Sequence, residues 1–473
     1  MSALIALVAF IVTIIFWNAV VKRNIGEAMT LGFVVICITA AITGSHGKHP
    51  LPQTIWSAIE EALTEEIMFA ALAFVFMAYV LEHTPVLPRL VDLLNSLFGR
   101  LRGGSLYTTT VAGAIFGAIA HIGAAITAAV GSITIPWMKK SGVKPEIAAT
   151  VASGLAGFGV SFPFSGTMFI LVGGLVAQGA MTSDEIIVPL FFAGLWALVY
   201  RIIVAFWIIR KYKVPAVPAD HIMPIRKSFG QGWTTLLLIL PILIPLALTH
   251  GPIATLLGKF TGTSDVVIPG KVLGDGTKLD PTTLTMADVI SLLTWIPVLM
   301  IAFVLILGRK SLPRRASGWW TLIEKSAPAF GVIGITIVAA FAAANLLGDM
   351  GLAGELKSLL EGLDVPKWLM AVAIGVIIIL IAIPLTASAT MAAIGPVAVM
   401  TLASTGVPVP VAAAAALIFA SSEGASPPSG APIYVAAGIA EVDPSKTFIP
   451  LIKYYCIPLL GLGVLIALQI LPV

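Results

Sequence analysis

The stretch Ser421–Pro432, "SSEGASPPSGAP", interrupts what would otherwise be one apolar helix, with "VAAAAALIF" (411–419) before it and "IYVAAGIA" (433–440) after it. Pro427 and Pro428 remove two backbone donors, and Gly424 and Gly430 loosen the chain, so no continuous helix passes through. A glutamate and four serines here are costly in hydrocarbon unless the irregular backbone is enclosed by protein or lines a cavity. The rest of the chain shows that hydrocarbon is the relevant solvent. Of 473 residues, 58% are hydrophobic and 11% charged, the mean hydropathy is +1.03, and apolar runs of about 20 residues recur, which suits a bilayer.

The chain therefore reads as an all-α polytopic membrane protein. Its N-terminal "MSALIALVAFIVTIIFWNAVVKRN" lacks a basic leading region and a small-residue cleavage site, and reads as a retained helix. Cys37 and Cys456 are isolated in apolar runs and form no disulfide framework. Ten full spans are expected at roughly 3–21, 27–45, 62–83, 145–180, 186–210, 231–249, 286–308, 322–347, 408–440 and 447–470. Residues 105–138 and 367–403 are too long for one crossing and break near their middles, so each is expected to form a re-entrant helical hairpin.

Lysine and arginine orient this arrangement. With the "VKRN" turn on the cytoplasmic side, 20 of the 27 basic residues fall in cytoplasmic loops, six fall outside, and Arg201 lies within a span. Both termini are then expected outside, with the first hairpin opening to the cytoplasm and the second to the outside. The net charge of +4 reflects this sorting and is no signature of nucleic-acid binding.

Residues 128–166, "AAVGSITIPWMKKSGVKPEIAATVASGLAGFGVSFPFSG", align without a gap with 392–430, "AAIGPVAVMTLASTGVPVPVAAAAALIFASSEGASPPSG". Gly131 meets Gly395, Gly142 meets Gly406, Pro163 meets Pro427, and Ser165–Gly166 meets Ser429–Gly430. The matches fall on the breaks and not on the apolar filler, as an internal repeat requires. Since one copy enters from each side, the expected architecture is an inverted-topology repeat with two re-entrant hairpins and two discontinuous helices. Each break, "GVSFPFSGT" (159–167) and 421–430, should oppose the tip of its own hairpin, "IAHIGAAIT" (119–127) and "IPLTASAT" (383–390). Freed carbonyls and hydroxyls at the breaks suit a small hard cation, and the half-helix N-termini suit an anion.

"GSITIPWMKKSG" (131–142), "FPFSGTM" (162–168) and "SPPSG" (426–430) together resemble the large membrane subunit of tripartite ATP-independent periplasmic (TRAP) transporters, within the ion-transporter superfamily. The resemblance runs from about residue 50 to the C-terminus. It implies an elevator-type secondary transporter of the inner membrane that couples sodium entry to uptake of a small organic acid anion. The partners it implies are a small four-helix membrane subunit and a periplasmic substrate-binding protein. The corresponding division of the chain is a scaffold over 1–104, transport halves over 105–180 and 367–440, further scaffold over 181–366 with an extended external loop at 249–284, and a C-terminal span over 441–473. The resemblance also departs from the family pattern. Ala120, His121, Ile122 and Gly123 stand where the family has a Ser-Gly-Ser-Ser run, Glu423 stands where it tends to have glycine, and 249–284 is long for the family.

Drawn from the two breaks and two tips, the candidate substrate contacts are His121, Ser165, Gly166, Thr167, Thr386, Ser388, Glu423, Ser426, Ser429 and Gly430. The candidate cation ligands are Gly123, Thr127, Gly159, Ser161, Pro163, Thr386, Ser388, Ser422, Gly424 and Pro427. Two Na+ sites are expected, with H+ as the alternative coupling ion; the alternative function is a stand-alone proton- or sodium-coupled organic anion carrier that works without a binding protein. Glu423 is expected to bind a cation, pair with His121 or hold a proton. Arg201 is expected to snorkel toward the cytoplasmic interface beside Arg210, and Glu60, Glu61, Glu65 and Glu66 read as the polar face of an interfacial helix. No phosphate-binding loop, metal-ligand cluster or nucleophile motif is present in the sequence, so it gives no support to an enzyme. A non-transporting scaffold or an open channel would not need two opposed, hydroxyl-lined breaks.

Overall fold

Helices account for nearly all of the described chain, because an apolar backbone in lipid satisfies its polar groups most simply within a helix. The computed structural model describes residues 2–45, 49–64, 66–120, 123–176, 179–217, 222–249, 251–263, 267–268, 282–283, 286–352, 355, 365–383, 386–428 and 430–473. The expected external extension contains a helix, Gly251–Thr261, and an antiparallel pair, Val267–Ile268 with Thr282–Thr283. The rest of that extension lies outside the described residues.

Among the described residues six helical segments are long and apolar enough to cross a membrane: Ile25–Thr43, Pro145–Val176, Ile187–Tyr212, Ile225–Thr249, Phe330–Asp349 and Ser445–Ala467. Leu51–Thr64 with Met68–Leu81, bent by 51°, makes a seventh if the pair is one span. The other expected spans correspond to shorter apolar helices, including Ser2–Ile15 and Thr294–Gly308. Local signals set the ends. Asn24 caps Ile25–Thr43 by accepting from the Glu27 amide at 2.9 Å, and Gly44 closes it at φ 65°. Leu51–Thr64 turns Thr54, Ala58 and Ala62 inward and leaves Glu60 and Glu61 exposed, as an interfacial helix should.

Two hairpins and two broken helices form the centre. The first hairpin is Gly104–Ala120 with Gly123–Lys140, and the second is Lys367–Ala382 with Ala387–Ala403. The first broken helix comprises Pro145–Gly154, the short turn Phe158–Ser161 and Gly166–Val176; the second comprises Val409–Ala420, the 3-10 turn Glu423–Ala425 and Ala431–Ala440. The return arms of the hairpins start at Gly123 and Ala387, 264 residues apart, and the broken helices start at Pro145 and Val409, again 264 apart. The turns between them pass through Gly142 at φ 77° and Gly406 at φ 84°, the left-handed region that glycine adopts without strain.

The halves interlock. The return arm of the first hairpin packs on Ala431–Ala440 of the second broken helix, and that of the second hairpin packs on Gly166–Val176 of the first. Ile187–Tyr212 lies against Gly104–Ala120, Phe158–Ser161 and Val409–Ala420, while Ile457–Ala467 lies against Lys367–Ala382 and Val409–Ala420. The most apolar window of Pro145–Val176 is 94% buried, whereas those of Ile25–Thr43 and Ile187–Tyr212 are 33% buried, which places the breaks inside and the latter helices at the lipid. An outer group, Ser2–Ile15, Ile25–Thr43, Glu66–Glu82, Leu292–Gly308 and Ala316–Asp349, meets this centre chiefly where Ala316–Asp349 crosses Gly166–Val176. Gly173 there leaves room for the Phe341 ring against the backbone.

Gly142→Ala and Gly406→Ala should each destabilise the protein by about 1 kcal/mol, because a Cβ disfavours the left-handed backbone. Neither position is crowded, so the two losses should be alike in thermal unfolding of purified protein. A loss at only one of the two turns would show that their backbones are not equivalent.

Candidate functional site

The breaks release carbonyls and amides that lipid cannot satisfy, and neighbouring side chains take them up. In the first break, the Ser161 hydroxyl donates to the Gly157 carbonyl at 2.8 Å, and Ser165 Oγ accepts from the Met168 amide at 3.0 Å, capping Gly166–Val176. In the second, the Ser421 hydroxyl donates to the Ile418 carbonyl at 2.7 Å and the Ser426 hydroxyl to the Ser422 carbonyl at 2.8 Å. Cys456, on the π-helical turn Ile452–Cys456, donates to the Ala425 carbonyl at 2.8 Å. Ser161, read as a cation ligand, and Ser426, read as a substrate contact, thus spend their protons on the break itself, keeping only lone pairs for a ligand.

The breaks also touch each other. The Ser153 hydroxyl donates to the Gly424 carbonyl across the two halves. A Cβ on Gly424 would collide with Ala156, and one on Gly157 with the Ser421 carbonyl, so glycine at both places permits the close crossing. Each break opposes the tip of its own hairpin. Gly123 sits against Ala156, where a Cβ would lie 3.1 Å from the carbonyl oxygen, and the Thr127 hydroxyl donates to the Ala152 carbonyl at 3.3 Å.

The polar convergence lies at the second tip. Thr386 caps Ala387–Ala403 by accepting from the Ala389 amide at 3.1 Å, and the Ala387 amide donates to Glu423 Oε2 at 2.9 Å. Glu423 therefore faces the positive end of a 17-residue helix. Beside it the hydroxyls of Thr167 and Ser388 hydrogen bond at 2.8 Å, joining the first broken helix to the second tip. Gly166 opens toward empty space, and Gly430 lies so near the Glu423 carbonyl that a Cβ would be 2.6 Å from it. Six predicted residues, Gly166, Thr167, Thr386, Ser388, Glu423 and Gly430, thus come together.

Other candidates are placed elsewhere. Ser426 turns toward Cys456, at 3.7 Å from its Sγ, and Ser422 is fully buried beside it. Gly159 is buried within the short turn Phe158–Ser161. Pro427 and Pro428 are partly exposed at the turn before Ala431–Ala440, where the Tyr434 hydroxyl donates to the Pro428 carbonyl at 2.6 Å. Pro163 lines an apolar cavity of about 210 Å³ with Phe162, Phe164, Ile119, Leu195 and Ile242, away from the polar tip. Phe164 holds φ 71°, a strained left-handed conformation for a bulky residue, and stacks on Phe74 of the outer group at 5.3 Å. His121 and Ser429 lie outside the described residues.

The sequence reading missed Ser153, Cys456 and the role of Arg201. Arg201 does not snorkel: it is 1% exposed, donating from Nε to the Gly154 carbonyl at 3.3 Å and from Nη1 to the Ala197 carbonyl at 3.3 Å. Its guanidinium lies 4.2 Å from the centre of the Phe158 ring, so the side chain points into the first break and not along the span.

Known proteins share this arrangement. The chain superposes on the Alcanivorax borkumensis YdaH transporter with a TM-score of 0.62 at 17% identity, covering 93% of this chain and 98% of that one. It superposes on Neisseria gonorrhoeae MtrF, of a class of antimetabolite efflux pumps, with 0.64 at 14% identity, covering 95% and 96%. At such identities the likeness shows the fold. Among curated proteins it is 29% identical over 153 residues to the C4-dicarboxylate TRAP transporter large permease protein DctM of Pseudomonas aeruginosa, covering 32% of this chain and 35% of that protein. It is 28% identical over 169 residues to the uncharacterized protein y4mL of Sinorhizobium fredii, covering 36% and 38%. The match thus spans well under half of either relative. The model of the family described as "Tripartite ATP-independent periplasmic transporter, DctM component" matches residues 4–471, well beyond the segment from residue 50 that carries the sequence resemblance, and the chain belongs to this family.

Proposed function

We propose that this chain is the large permease subunit of a sodium-coupled secondary transporter that takes up a small organic acid anion, of the C4-dicarboxylate kind, across the inner membrane. The observation that carries the proposal is the meeting of the second hairpin tip with both broken helices, through Ala387 N–H to Glu423 and Thr167 to Ser388. A helix N-terminus with a free backbone amide is the chemistry that binds a carboxylate, and here a carboxylate of the protein holds that place. An incoming anion competes with Glu423 for the amide and releases the tip. Hydroxyl, carbonyl and carboxylate oxygens around Thr386, Ser388 and Glu423 suit a hard monovalent cation, and each elementary charge moved inward gains about 2.3 kcal/mol per 100 mV.

The equal spacing of the two halves supports an inverted-topology repeat, and their interlocked packing supports an elevator in which they move as one body. Ile187–Tyr212 and Ser445–Ala467 pack on the broken helices, which supports grouping them with that body although the sequence reading places them in the scaffold and the C-terminal span. Its boundary with the outer group carries an apolar cavity of about 30 Å³ where small residues such as Gly174, Ala340 and Ala392 alternate with larger ones such as Phe10, Ile170 and Leu347. The proposed assembly adds a small four-helix membrane subunit and a periplasmic binding protein, with both termini of this chain periplasmic. Nothing in the site calls for covalent chemistry, and we assign it no enzymatic role.

Reconstituted with its partners, the protein should accumulate a dicarboxylate only under an inward sodium gradient. Equal uptake in potassium buffer driven by a pH gradient would transfer the coupling to a proton, with Glu423 its carrier. Glu423→Gln keeps an acceptor for the Ala387 amide but loses the charge, and such a hydrogen bond is roughly half as strong. A cysteine at Thr386 should then react faster with an impermeant maleimide; an unchanged rate would show that Glu423 does not hold the tip.

A double-mutant cycle of Thr167→Val and Ser388→Ala should return a coupling of about 1 kcal/mol in unfolding experiments. Additive losses would mean that the two hydroxyls are not partners.

With Cys37 and Cys456 replaced, cysteines at Gly173 and Phe341 joined by a short bifunctional reagent should abolish uptake, since they tie the central body to the outer group. Full transport by the crosslinked protein would exclude the elevator.

A further inference from the structure

Arg201 is a buried charge without an anionic partner. It is 1% exposed, no carboxylate pairs with it among the described residues, and its Nη2 has no hydrogen-bond partner. Its two bonds go to main-chain carbonyls, and its further contacts with charge character are the faces of Phe158 at 4.2 Å and Tyr200 at 5.1 Å, neither of which supplies a full negative charge. Retaining such a group in a membrane protein is expensive unless it serves a site.

Ala197 belongs to Arg201's own helix, but the other carbonyls near the guanidinium are those the breaks expose. Gly154 ends the helix Pro145–Gly154, so its oxygen belongs to the negative end of that helix and has no helical donor of its own. The Ser421 carbonyl, at the end of Val409–Ala420, approaches from the other half. A Cβ built on Gly157 would meet both Ser421 O and Arg201 Nη2, the latter at 2.6 Å, so the unpartnered nitrogen and the second break's carbonyl flank the same glycine. Two helix C-termini thus point carbonyls at one crossing, and a guanidinium supplies the positive charge there. The repeat does not reproduce the device: 264 residues beyond Arg201 stands Leu465, which is 39% exposed.

We propose that Arg201 is the built-in cation of the first break, neutralising the carbonyls at the crossing so that this position takes no mobile cation and coupling falls to the second break. The part of this inference that concerns coupling rests on the transport reading; the part that concerns the carbonyls does not.

The test uses the full chain with Arg201→Ala and Arg201→Lys. In detergent, Arg201→Ala should melt several degrees below wild type and recover part of that loss in methylguanidinium or sodium chloride but not in choline chloride, while wild type responds to none of them. In proteoliposomes, Arg201→Ala should show one more cation carried per substrate than wild type, and Arg201→Lys the wild-type number. Melting of Arg201→Ala that is indifferent to every cation, or an unchanged cation count in a transporting Arg201→Ala, would overturn the proposal. If Arg201→Ala does not fold, Arg201→Lys decides: a lysine with wild-type cation count and no added cation response supports the fixed charge, and a gained cation overturns it. Should wild type itself fail to transport under any gradient, the transport reading falls and the melting arm still judges the carbonyl site.

Discussion

Inside a bilayer, a backbone group released from its helix has no water to turn to, and that constraint organises this protein's centre. Two helices are interrupted at corresponding places, and every group freed there must find a donor or acceptor from the surrounding protein. Ser161, Ser165, Ser421, Ser426, Ser153, Cys456 and Arg201 answer it one bond at a time. The hairpins follow from the same need, because an irregular segment at membrane depth has to be enclosed on the side where lipid would otherwise lie.

The two halves solve the problem with opposite charges. At the first break the exposed groups are helix C-terminal carbonyls, and a guanidinium meets them. At the second tip the exposed group is a helix N-terminal amide, and the Glu423 carboxylate meets it. Each is a polar side chain set against the end of a helix dipole. On the proposed transport reading, cargo would have to displace or bypass these side chains.

Much of this was legible in the sequence because glycine and proline punctuate a chain that is otherwise filler. Gly142 and Gly406 mark left-handed turns, Pro163 and Pro427 mark the breaks, and their shared spacing carried over to where the return arms and broken helices begin. The direction in which a side chain points was not legible. Pro163 and Pro427 occupy the same place in the repeat, yet one lines an apolar cavity and the other sits half-buried at the turn before Ala431–Ala440. Arg201 looked free to snorkel because only its depth in one helix was visible; the carbonyl it reaches is 47 residues away in the chain. Thr167 and Ser388 are 221 residues apart, and nothing local to either announces the other.

In the proposed elevator the boundary between the central body and the outer group would have to hold and to slide, and two kinds of contact are found there. Small residues let the elements approach closely, as at Gly173, whose missing Cβ admits the Phe341 ring. Phe164 does the reverse: a bulky residue in a left-handed backbone, stacked on Phe74, at a cost of about 1–2 kcal/mol in strain. Strain of that size is comparable to the aromatic contact that accompanies it, so the contact is nearly balanced by the conformation it demands. Arg201 and Glu423 are met by groups of the central body itself, so the movement proposed for it would leave their partners unchanged and would be opposed chiefly by apolar contacts such as those of Phe164 and Phe341.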